Sequence, residues 1–309
     1  MATQVYKEEM KLMGNHFELS VVAEDPIWAH TQIAAGVEEI RRIERLLTTY
    51  AAGSETSRIN ENAGVRPVEV SREVFQLIQR ANRISGITQG AFDLSYGSID
   101  RRLWNFDTTM TSLPDRATAR KMVRLINYQN IVLDSDRLTV FLREKGMRIG
   151  FGGIGKGYAA ERAKSVMKEM GAVSGVVNAS GDLAAWGYQP DGKPWTVGIV
   201  NPGAAGEIFS WLSVTDMALA TSGNYEKFAI IDGKKYSHTI NPKTGLPVEG
   251  IRSVTILCPN AEIADAMATP VMVMGVGAGL DMINQLRDVE AILIDDGGRV
   301  FTSNNIHIT

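Results

Sequence analysis

The sequence predicts an α+β protein in which largely antiparallel sheets carry packed helices, on three observations. Helix-like and strand-like stretches alternate irregularly, without the repeating β-α-β rhythm of a doubly wound parallel fold. Neighbouring strand candidates are joined by short turns, which only antiparallel pairs allow. At 309 residues and 44% hydrophobic, the chain can also fill a large core. No repeat, low-complexity run or linker divides it, so we expect one domain over residues 1–309.

Val5 to Ala23 alternates in the manner of strands, with Phe17, Leu19 and Val21 on one face and a turn at Met13-Gly14-Asn15. From Pro26 the period changes. Ile33, Val37, Ile40, Ile43 and Leu47 recur at helical spacing, and predict a helix ending near Tyr50. The stretch TTYAAGSETSRINENAG then reads as a polar loop. Val74, Leu77, Ile78 and Ala81 place a second helix from Ser71 to Ser85, followed by the turn-rich TQGAFDLSYGSIDRRLW. Pro114-Asp115 starts a third helix running to about Asn127. Ile131 to Leu133 and Leu138 to Leu142 pair as a hairpin across Asp134-Ser135-Asp136.

Next come a short strand, a glycine-dense turn and a helix to about Met170. Strands are expected at Gly175 to Asn178, Trp195 to Val200, Ile208 to Val214, Met217 to Ala220, Phe228 to Ile231 and Arg252 to Cys258. Residues Ala179 to Asp182 read as a tight turn. Ala261 to Met274 and Leu280 to Leu286 read as helices, and Ala291 to Ile294 with Val300 to Thr302 as a closing strand pair.

Composition excludes some functions. With 32 basic and 35 acidic residues and no block of one sign, no basic stripe for nucleic acid is present. No apolar run reaches the ~20 residues of a membrane helix, and the N-terminus lacks the apolar core of a signal peptide. The expected location is cytoplasmic as the sequence stands; a periplasmic protein whose leader had been cleaved would read the same. A single cysteine, Cys258 at the end of a buried strand, reads as an inert thiol.

The chemistry gathers around Met147 to Glu161, MRIGFGGIGKGYAAE. A glycine turn before a helix start is a place to hold phosphate. Gly150-x-Gly152-x-x-Gly155 matches the dinucleotide fingerprint, but the acid expected about 20 residues on falls near Asn178. Gly150 to Lys156 matches Walker A up to its last residue, where Gly157 replaces the Ser or Thr that reaches Mg²⁺. In AEIADAMATP, Asp265 and Thr269 lie one helical turn apart on one face, among small and apolar neighbours. A carboxylate and a hydroxyl so placed suit a hard cation such as Mg²⁺. His238, in SHTINPKTG, has the side chain best suited to general base work near neutral pH.

Eight blocks, in order, resemble the ApbE family of flavin transferases: Met13-Gly14, LLTTYAAGSETSRIN, GAFDLSYGSIDRRLW, GGIGKGYAAERA, VVNASGDLAAWG, ATSGNYEKF, YSHTINPKTGLPV and VTILCPNAEIADAMATPVMVMG. The resemblance implies an ApbE-like (T-fold-like) architecture. It also implies Mg²⁺-dependent transfer of FMN from FAD to a Thr or Ser of an acceptor flavoprotein, in a D-x-x-S/T-G-A-T-like motif, with release of AMP. Carried over, it places Met13 and Tyr50 by the flavin, and Ala91, Phe92 and Asp93 on FAD at its adenosine end. Lys156 faces the phosphates and Ile240 lines the pocket. Gly153 (through its carbonyl), Asp265 and Thr269 hold Mg²⁺, and His238 deprotonates the acceptor hydroxyl. The same site would serve an FAD pyrophosphatase or a non-catalytic FAD carrier. The chain departs from the family pattern where Gly150 replaces an Asp that contacts FAD, where Ser180 precedes Gly181-Asp182, where Asn241 precedes Pro242, and at Ala268, where some members carry a further acid.

Overall fold

The computed structural model describes residues 3–99, 112–200, 208–223 and 228–306. The end of the GAFDLSYGSIDRRLW block and the NYEK of ATSGNYEKF lie outside them.

An eight-stranded sheet forms the frame. Its strands are β1 (Gln4–Leu12), β2 (Asn15–Ala23), β6 (Gly175–Ala179), β7 (Asp182–Trp186), β10 (Met217–Gly223), β13 (Ile251–Cys258), β14 (Glu290–Asp295) and β15 (Val300–Thr302), in that spatial order. Every neighbouring pair is antiparallel, and short turns join β1 to β2, β6 to β7 and β14 to β15. Phe17, Leu19 and Val21 of β2 and Ala184 and Trp186 of β7 face the main core. Against it pack α1 (Pro26–Leu47), α5 (Gly155–Glu169) and α6 (Ala261–Met274). The opposite face, with Leu183, Ala185, Leu219 and Leu257, is covered by the ribbon of β8 (Trp195–Val200) and β9 (Ile208–Val214).

The other elements flank this frame. They are α2 (Glu55–Glu61), β3 (Val68–Glu69), α3 (Arg72–Ile87), α4 (Arg116–Met122), β4 (Ile131–Asp134), β5 (Thr139–Leu142), β11 (Phe228–Ile231), β12 (Lys234–Ser237) and α7 (Val276–Ile283). β3, β5 and β4 form a small sheet, and β11 pairs with β12.

The structure corrects several element readings. The polar loop after α1 contains α2, because Ser54 caps it through a bond from the Ser57 amide and Ile59 anchors it in the core. The third helix, α4, stops at Met122, and α7 begins and ends earlier than expected. β3, β7 and β12 are additional strands. No strand precedes the glycine turn, since its backbone bonds to side chains instead. Asn60 clamps Ile149 from both sides, accepting from its N–H (2.7 Å) and donating to its C=O (3.0 Å). Ser98 does the same for Arg148, at 2.8 and 2.9 Å.

Cys258 is buried, and burial pushes its thiol up to about 11. We expect alkylating reagents to leave the native protein unmodified at neutral pH and to label it once on unfolding. Rapid native labelling would show that this strand end opens.

Candidate active site

One cavity of about 970 Å³ opens where the ends of the central strands meet the N-terminus of α5. The β1–β2 turn supplies Met13 and Gly14, and the segment after α1 supplies Tyr50. The glycine turn supplies Arg148 to Gly153, followed by Gly155 and Lys156 of α5. Asp182 comes from β7, Ser222 from β10, His238 from the loop after β12, and Asp265 and Thr269 from α6. Seven residues singled out in the sequence thus line one space: Met13, Tyr50, Gly153, Lys156, His238, Asp265 and Thr269.

The contact between α5 and α6 sets the geometry. Gly157 is the point of closest approach, and a Cβ there would lie 2.1 Å from the Ala261 carbonyl oxygen and 2.6 Å from Asp265 Cβ. This explains the departure from Walker A: no side chain fits where a Mg²⁺-binding hydroxyl would stand. The approach lets the Gly157 amide donate to Asp265 Oδ2 at 2.9 Å. The amide that looked available for phosphate therefore holds a carboxylate, at the positive end of the α5 dipole.

Burial pushes the Asp265 carboxyl well above its ordinary range; Asp182 adds to this, while Lys156 and the amides of Gly157 and Lys156 oppose it. Lys156 Nζ lies 2.6 Å from Asp182 Oδ2. Thr269 Oγ1 shares a 3.2 Å hydrogen bond with Ser222 Oγ.

Carboxylate hydrogen bonds and ion pairs hold α5 and α6 in register with the rest. Glu161 accepts the first amide of α6, from Ala261, at 2.9 Å. Arg80 of α3 grips Glu262 with two bonds, at 2.7 and 2.9 Å. Arg42 joins Glu39 to Glu73, and Glu73 accepts the Tyr158 hydroxyl at 2.6 Å.

Four predicted residues stand elsewhere. Ala91, Phe92 and Asp93 are buried behind the glycine turn, with a Phe92 ring carbon 3.5 Å from where a Gly153 Cβ would lie. The Asp93 carboxylate accepts from the Ser95 amide (2.8 Å), the Ser95 hydroxyl (2.6 Å) and the Tyr128 amide (2.7 Å), so it organises the backbone. Asp93 also borders a separate cavity of about 380 Å³, with Gln89, Tyr128 and Lys243. Ile240 is buried in a satellite core with Ile99 and Ile231, and its amide meets the Tyr96 hydroxyl. Sequence reasoning passed over Asn60, Ser98 and Ser222. Their signal lay in the SETSRIN, LSYGS and ATSGN segments, whose small polar residues hold backbone or other hydroxyls. Asp182 reads as the end of a tight turn, within the Ser180-Gly181-Asp182 block, and is not among the expected site residues.

The ApbE family model matches residues 13–293 of this chain. A FAD:protein FMN transferase of Klebsiella pneumoniae is 31% identical over 303 residues, covering 97% of this chain and 92% of its own. One of Haemophilus influenzae is 27% identical, covering 98% and 90%. The crystal structure of an ApbE protein from Thermotoga maritima superposes with a TM-score of 0.88 at 28% identity, covering 97% of both chains. The flavin transferase ApbE from Vibrio cholerae, at 24% identity and a TM-score of 0.85 over 98% of both chains, shares the fold. With a match from the β1–β2 turn to β14 and a common architecture, this chain belongs to the ApbE family.

Proposed function

We propose that this protein is a FAD:protein FMN transferase that moves FMN from FAD to a Thr or Ser hydroxyl of an acceptor flavoprotein and releases AMP. The observation that carries this reading is the convergence of Asp265, Thr269, Lys156 and His238 on one cavity, in a chain whose relatives bear that name.

The residues present fit Mg²⁺. The Asp265 carboxylate, the Thr269 hydroxyl and the Gly153 carbonyl are hard oxygen donors, and the buried, negatively charged surroundings of Asp265 favour a cation. When bound, Mg²⁺ stabilises charge on the pyrophosphate oxygens.

The chain's own groups do the rest. Lys156 offers its ammonium to the phosphates. Met13 and the widely exposed Tyr50 flank the cavity as apolar and aromatic surface for the flavin. His238 takes the proton of the acceptor hydroxyl as its oxygen bonds to the FMN-side phosphorus. The bond from that phosphorus to the bridging oxygen breaks, and AMP leaves. The acceptor is expected to present its hydroxyl in a D-x-x-S/T-G-A-T-like motif.

Measuring AMP and free FMN with and without acceptor tests this. Transfer predicts AMP formation that depends on acceptor, with little free FMN. Equal amounts of FMN and AMP regardless of acceptor would make the protein a pyrophosphatase. His238→Ala should lower the rate of transfer roughly 10²–10⁴-fold while leaving FAD affinity, read by flavin fluorescence, nearly unchanged. An equal loss in both would make His238 a binding residue.

A further inference from the structure

Asp182 opens β7 on the helix-facing side of the sheet, the side that Ala184 and Trp186 present to the core. Its side chain is 4% exposed, and it holds Lys156 Nζ at 2.6 Å; the Lys156 side chain is 26% exposed. Asp265 feels both groups, with Asp182 disfavouring its ionised form and Lys156 favouring it. Two carboxylates and one ammonium therefore share a buried corner of the cavity.

The two carboxylates are fixed by the fold. Asp265 sits on α6 and accepts the Gly157 amide. Asp182 follows a tight turn in which Ser180 and Gly181 adopt positive φ and the Gly181 amide bonds Asn178 Oδ1. Lys156, at the end of a flexible four-carbon stem, is the member able to change partner.

Resting on the transferase reading above, we propose that Asp182 is a positioning residue that holds the Lys156 ammonium as a stand-in for the dication, and yields it to an anionic substrate group once a dication lies beside Asp265. With the dication present, the carboxylates have a second source of positive charge, and Lys156 can turn to a phosphate without leaving Asp182 uncompensated. Dication and FAD then favour one another's binding, and by linkage the coupling is reciprocal.

Opposite substitutions in the pair should act in opposite directions. Lys156→Met leaves two carboxylates uncompensated, and Asp182→Asn leaves one carboxylate against a lysine. Binding of Mn²⁺ to the FAD-free protein, followed by electron paramagnetic resonance of the free ion, should tighten roughly tenfold in K156M and weaken roughly tenfold in D182N. FAD affinity, read by fluorescence quenching in chelator and in Mg²⁺, should show a Mg²⁺-induced gain that shrinks in D182N because its affinity in chelator has risen. A purely structural role for Asp182 would move neither the sign of the Mn²⁺ effect nor this ratio.

Shifts of Mn²⁺ affinity in the same direction, or an unchanged Mg²⁺-induced gain in D182N, would overturn the proposal while leaving the transferase reading intact. Failure of the unaltered protein to bind either Mn²⁺ or FAD would overturn both. Should D182N not fold, K156M decides through its Mn²⁺ affinity alone: tightening supports the stand-in, and no change or weakening ends it.

Discussion

Gly157→Ser completes a Walker A sequence, yet it should produce a destabilised protein without transferase activity. The added Cβ meets the Ala261 carbonyl oxygen and Asp265 Cβ at distances no packed atoms tolerate, and both belong to the neighbouring helix rather than to a flexible side-chain tip. Either α5 or α6 must move. Overpacking of this kind costs roughly 1–3 kcal/mol. The movement also pulls the Gly157 amide from Asp265, and a buried polar group without its partner costs a further ~1–3 kcal/mol. Urea unfolding should show a lower midpoint, and Mn²⁺ binding should be lost. A variant with the original midpoint and activity would show that the two helices do not pack as described.

Asp265→Asn should separate function from stability. Turnover should fall by about 10³-fold or more, because the charged ligand proposed for the cation is gone. Metal-free stability should rise, because the substitution removes a buried charge facing Asp182 while the amide oxygen can still accept from Gly157. The pH dependence follows from linkage. A carboxyl raised in the folded state binds more protons there than in the unfolded chain. Stability of the metal-free protein therefore falls as pH climbs above the ordinary Asp range near ~4. D265N lacks this loss, so its advantage in Tm should grow from about pH 5 to about pH 8. A constant difference across that range, or unchanged turnover, would contradict the assignment.

These two positions also show what the sequence could and could not convey. Asp265 and Thr269 were legible because a helix puts residues four apart on one face, and α6 spans Ala261–Met274 as its pattern implies. Gly157 was visible only as a misfit to Walker A. Its reason, the Ala261 carbonyl of another helix, lies 104 residues away in the chain (261 less 157). Asp182 read as part of a turn because β7, buried along its whole length, has no alternation to mark it as a strand. β12, KKYS, shows no apolar alternation either. The strand expected before the glycine turn failed for a different reason: Asn60 and Ser98 satisfy that backbone, and side chain-to-backbone pairing leaves no periodic trace. Asp93 is placed on FAD by the family resemblance alone, and in the structure its carboxylate oxygens serve Ser95 and Tyr128.

Gly150 stands where the family resemblance leads one to expect an acid. A Cβ there would meet nothing within 4 Å, so packing does not dictate the glycine. Gly150→Asp should fold with stability unchanged within about 0.5 kcal/mol. Its effect on FAD affinity, measured in Mg²⁺, reads directly what an acid at this position contributes.

Flavin transfer is tested most directly by the intact mass of an acceptor domain after incubation with this protein, FAD and Mg²⁺. Transfer predicts an FMN-sized increase on the acceptor that survives denaturation, maps to a Thr or Ser, and is absent with D265N. An acceptor of unchanged mass, under conditions where a Klebsiella pneumoniae relative modifies it, would contradict the transferase activity.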